Sequence, residues 1–145
     1  MIDIGKLTDQ LIGSMSQSSG QAIGDGIRPD SVGWMDGQPN TGVFIPYGVM
    51  AFQGAVPRDV TIRFSEQIRA WTTTWRLSYY GAARQQCDWV ATQIRDTLDN
   101  AIGQEFGLYK VTGVSWRSLG SMDRLDEIDP PLWTMTDTFT LSCDA

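Results

Sequence analysis

From Ala70 to Tyr80 apolar and polar positions alternate, with Trp71, Thr73, Trp75, Leu77 and Tyr79 on one side and Thr72, Thr74, Arg76, Ser78 and Tyr80 on the other. A period of two is the mark of a strand with one buried face, so the tryptophan side is expected to face a core. The same pattern returns at the C-terminal end, where Trp133, Met135, Asp137, Phe139, Leu141 and Cys143 alternate with Thr134, Thr136, Thr138, Thr140 and Ser142. Asp137 is the one polar residue on that inner side. The outer side is a ladder of hydroxyls, suited to water or to packing against another chain.

Between these strands the period changes. Gly81 is followed by Ala83, Cys87, Val90, Ala91, Ile94 and Leu98, spaced at three and four, which predicts a helix lying by one stripe on a sheet. Trp89 falls off that stripe, beside Gln85 and Asp96 on the wet side. A large aromatic there asks for a cover. The chain opens with a second helical pattern over residues 1–16 (Ile4, Leu7, Leu11, Ile12, Met15). Residues 17–40 are rich in Ser, Gly and turn signals and read as an irregular loop.

A sheet-and-helix core is expected over 41–143. Pro46 lacks an N–H, so the strand around it is an edge strand or begins after it. Residues 53–69 read as a hairpin or extended arm carrying Arg58, Arg63 and Arg69. Residues 108–119 predict a strand with Val114 and Trp116 on one face, and residues 120–131 an acidic loop closed by two prolines. Without a repeated strand-helix-strand alternation, the architecture is a single α+β domain with a mainly antiparallel sheet and helices on one face.

Composition narrows the chemistry. The chain of 145 residues has no histidine, which removes the Ser-His-Asp triad, the Cys-His pair and histidine metal sites. Its net charge of −6 argues against sequence-independent grip on nucleic acid. No apolar run reaches the ~20 residues of a membrane span, and the N-terminus lacks the basic-then-apolar order of a secretory signal. Cys87 and Cys143 lack a redox or metal spacing and read as reduced core thiols.

Asp126, Glu127 and Asp129 cluster, yet lack the glycine and the terminal glutamate of a calcium loop, which favours a solvated or subunit-pairing patch over a metal or acid-base site. "GQAIGDG" has neither the spacing nor the Lys-Ser/Thr of a phosphate loop. Asp137 reads as a hydrogen-bonded structural group, or as the sign of a register slip, rather than as a perturbed acid. Trp89 could stack on a sugar or base, but an aromatic on a wet helix face favours a protein contact. Neither an enzyme nor a cofactor-binding protein is expected, and a small ligand-binding domain or enzyme is the rival of a different class.

The combination "IPYGVMAFQG", "WRLSYYGAARQQCDWVATQIRDTL", "YKVTGVSW" and "RLDEIDPPLWTMTDTFTL" resembles the tail terminator (tail completion) proteins of long-tailed bacteriophages, in particular those of actinobacteria. The likeness covers residues 41–143 and rests on side-chain patterns. It implies a virion protein, assembled in the host cytoplasm, that closes a six-membered ring on the tail tube, stops polymerisation and meets the neck proteins. Its partners would be further copies of itself, the tube protein and a neck or head-completion protein. DNA would pass the lumen without specific binding, and the acidic charge would favour this. A head-tail connector of the same particle is the nearer alternative. A ring needs two different patches per subunit. Trp89, Gln85 and Asp96, the arginines 58, 63 and 69, the acidic residues 126, 127 and 129, and Thr134, Thr136 and Thr138 are the candidates.

Overall fold

The computed structural model describes residues 3–34, 43–57, 70–106, 109–128 and 130–144. Helix α1 runs Ile4–Ser19; Asp3 caps it, its carboxylate accepting from the Lys6 N–H at 3.1 Å, and Gly20 ends it in the left-handed conformation. Helix α2 runs Arg84–Asp99 and buries Cys87, Val90, Ala91, Ile94 and Leu98. Ala83, expected as the first residue of that stripe, is instead the exposed N-cap. Gly81 has no room for a side chain: a Cβ would stand 2.6 Å from the Cys87 nitrogen, so strand and helix meet through bare backbone.

The long strands are β4 (Tyr47–Pro57), β5 (Ala70–Gly81), β7 (Tyr109–Ser118) and β9 (Leu132–Asp144). They lie in the order β4-β5-β9-β7, each antiparallel to the next. Short strands β1 (Ala22–Asp25) and β6 (Glu105–Phe106) extend the two ends, and β8 (Asp123–Leu125) pairs with the start of β9. Strands β2 (Gly33–Trp34) and β3 (Phe44–Ile45) form a separate ribbon. The architecture is α+β with a mainly antiparallel sheet, as the alternation predicts.

Both helices occupy the face bearing Trp75, Leu77, Tyr79, Phe139 and Leu141, and all of these are fully buried in one core with Leu7, Leu11 and Met15 of α1. Cys87 and Cys143 are both buried in that core. A smaller cluster sits on the opposite face, where Phe44, Tyr47 and Tyr80 gather with Val32 and Leu132; Tyr47 and Tyr80 stack at 5.0 Å.

Two expectations are corrected. Residues 17–40, expected to be an irregular loop, contain β1 and β2. The strand β1 is held by parallel pairing with Tyr47–Met50, a long-range partner that local composition does not reveal. The acidic stretch 120–131 likewise contains β8, held by pairing with Leu132–Thr134. The proline question resolves in favour of the later start: β4 begins at Tyr47, after Pro46. Residues 58–69, with Arg58, Arg63 and Arg69, lie outside the described residues, as does Asp129.

Candidate assembly interface

Three separate surfaces carry the described candidates. On α2, Gln85, Trp89 and Asp96 are exposed on one side of the helix, because steps of four and seven residues return to nearly the same angle. Trp89 remains 50% exposed even though it is among the largest side chains of the molecule. It lies off the stripe that packs on the sheet, which runs through Cys87, Val90, Ala91, Ile94 and Leu98.

Thr134, Thr136 and Thr138 point from β9 to the face opposite the helices, so they do not share a patch with Trp89. They are opposite Tyr80, Ser78 and Arg76 of β5. The Ser78 and Thr136 hydroxyls lie 3.0 Å apart, a hydrogen bond across the strands. The acidic patch is a third surface, at the end of the sheet. Arg124 donates its Nε–H to Asp126 at 2.8 Å, and both side chains are mostly in water, where such a pair contributes about 1 kcal/mol at most. Glu127 is exposed next to it. Among the described residues no group of three potential metal-ligating side chains comes together.

The buried polar centre is Asp137, fully enclosed on the helix side of the sheet. Its Oδ2 accepts from the Tyr79 hydroxyl and the Arg95 Nε, both at 2.7 Å; its Oδ1 accepts from the Arg95 Nη2 at 2.7 Å and the Gly120 backbone at 2.9 Å. Four donors satisfy one carboxylate, which is how a charge can be carried in a core. The guanidinium also stands 5.5 Å from the centre of the Tyr79 ring. Burial and the neighbouring Asp137 charge push the Tyr79 hydroxyl well above the ordinary phenol range, and the hydrogen bonds to Asp137 push Arg95 up too. Asp137 is therefore a joint tying β9, β5, α2 and the chain at Gly120 together. Asp137 is visible in the sequence as the odd polar residue of its strand. Arg95 and Gly120 are not, because nothing local marks them as its partners.

The described candidates thus lie on three separate surfaces around one closed core on the helix side of the sheet. No protein-family model and no curated protein matches the sequence. The fold does match a solved chain in the virion of a native gene transfer agent (GTA) particle, with a TM-score of 0.51 at 14% identity. The alignment covers 96% of this chain and 92% of that one.

Proposed function

We propose that the protein is a structural component of a virus particle, a tail terminator that caps the tail tube as a ring, ends its polymerisation and offers the joining surface to the neck. The observation that carries the reading is the fold likeness to a chain of the gene transfer agent virion over nearly the full length of both. The sequence resemblance to tail terminators points the same way. In this reading further copies of the chain, the tube protein and a neck protein are its partners, the particle is its location, and no catalysis is asked of it.

The surfaces suit such a part. A ring subunit must present two unlike patches to its neighbours and two more along the axis, and the wet side of α2, the hydroxyl face and the acidic corner lie on different sides of the fold. The test is electron microscopy of lysates from phage lacking the gene. Overlong tubes without heads establish termination. Tails of normal length left unattached assign the protein to the neck as a connector, and normal particles overturn the structural reading in favour of a ligand-binding domain or enzyme.

A further inference from the structure

The sheet ends in two edges that match each other. On one side β1 pairs with β4 only over Tyr47–Met50, and among the described residues no strand pairs with the outer side of Ala51–Pro57. On the other side β6 pairs with β7 only at Tyr109 and Lys110, and among the described residues the outer side of Thr112–Ser118 is likewise without a strand. The two open stretches lie at the same level of the sheet: Ala51 is aligned with Arg76, Thr138 and Ser118, and Val56 with Thr72, Ser142 and Gly113. They also run in opposite directions, because four long strands alternate strictly and the number is even. A second copy set beside the first without inversion therefore places an upward edge against a downward one.

The side chains continue the match. One row crosses the whole sheet on its core face as Phe52, Trp75, Phe139 and Trp116. Its middle members are fully buried, while Phe52 and Trp116 at the two edges are only partly covered. Phe52 packs on Trp75 at 5.2 Å and Trp116 on Phe139 at 5.4 Å, so each edge ends in an aromatic ring with one side packed. The next row is Ala55, Thr73, Leu141 and Val114, also apolar at both ends.

We infer that copies of this chain join edge to edge, Ala51–Pro57 of one antiparallel to Thr112–Ser118 of the next, in a continuous sheet that sets Phe52 beside the neighbour's Trp116. This rests on the proposed ring and names the interface that closes it. The contact is heterologous, so it closes into a ring when the rotation per copy allows. Open strand edges are pairing templates, and backbone bonds would supply the affinity. Irregularities in pairing at Phe52/Gly54, Val111/Gly113 and Trp116/Ser118 bend both edge strands. Such bulges blunt an isolated edge, and they also supply the curvature that a closing sheet needs.

The test uses Ala51→Cys together with Ser118→Cys, two outer-face positions on opposite edges, in particles assembled with the altered gene and treated with a short bismaleimide. Cys87 and Cys143 are fully buried and do not react in the folded chain. The expected result is a ladder at multiples of 16.1 kDa from the double variant, pairwise products from mixed single variants, and none from either single variant alone. Dimers from Ser118→Cys alone would show two-fold pairing and overturn the inference. So would particles that contain the chain but yield no ladder, although the proposed function would survive. Particles that lack the chain would overturn the proposed function and this inference with it.

Discussion

Arg95 closes a two-pronged bond on Asp137, Nε to Oδ2 and Nη2 to Oδ1, each at 2.7 Å, with the carboxylate fully buried and the guanidinium reaching partly to water. The pair spans the helix-sheet boundary, from α2 to β9. Tyr79 and Gly120 complete the shell, so the carboxylate loses more than one partner only if it is itself removed.

Removing one partner of a buried pair costs more than removing both, because a lone charge is left in the core. Arg95→Met is expected to destabilise the fold by about 3–5 kcal/mol. Arg95→Met with Asp137→Leu should recover part of that loss, but the Tyr79 hydroxyl and the Gly120 N–H would then each lack a partner, at about 1–3 kcal/mol apiece. Adding Tyr79→Phe should recover more. Denaturant melts of the series decide it, and a triple variant no more stable than the Arg95→Met, Asp137→Leu double would contradict the account.

Gly120 has no space for a Cβ, which would collide with the Thr136 carbonyl oxygen. The same residue gives its N–H to Asp137, so the chain cannot move away without breaking that bond. Gly120→Ala is expected to cost about 1–3 kcal/mol or more, and to weaken the effect of a second change at Asp137, since both act on one joint. A double-mutant cycle measures this; strict additivity would show that the two are independent.

The long strands and the α2 stripe were legible because their burial follows a local period: β5 and β9 alternate, and Cys87, Val90, Ala91, Ile94 and Leu98 recur at three and four. The strands β1 and β8 were not. Ala22–Asp25 contains a glycine and an aspartate, and Asp123–Leu125 sits in an acidic run, so each is a strand only because a partner distant in sequence offers it a ladder. The candidate surfaces divide in the same way. That Trp89 is wet follows from helical angle alone, whereas the separation of Trp89 from Thr136 by the thickness of the sheet needs the tertiary arrangement.

Alkaline stability follows from three buried acids, Cys87, Tyr79 and Tyr47, the last raised mainly by burial. Burial pushes the Cys87 thiol up from 9.0 to about 11, and burial with the Asp137 charge raises Tyr79 above its ordinary 10.0. A raised folded value means that the unfolded chain releases its proton first. The stabilising contribution is thus whole below pH 9 and declines above it, first through Cys87 and then through the two tyrosines. Melting temperatures should stay level up to about pH 9 and fall beyond it, and Cys87→Ala should remove the earlier part of the fall. A melting temperature that does not change through pH 11 would refute the assignment.

Trp89 separates folding from assembly. It lies off the buried stripe of α2 and keeps half of its surface in water, so Trp89→Ala should change stability by about 1 kcal/mol or less. If the side chain is an anchor between subunits or against the tube, its truncation should weaken that contact by about 2 kcal/mol, roughly thirtyfold in affinity, since tryptophan is prominent among the residues that dominate protein interfaces. Gln85 and Asp96 share its side of the helix, and Asp96→Lys should have a smaller, salt-dependent effect typical of a rim charge. Thermal melts and ring formation scored on the same preparations distinguish the outcomes. Intact rings with an unchanged melt would remove Trp89 from the interface, and a collapsed monomer would make it a core residue in spite of its exposure.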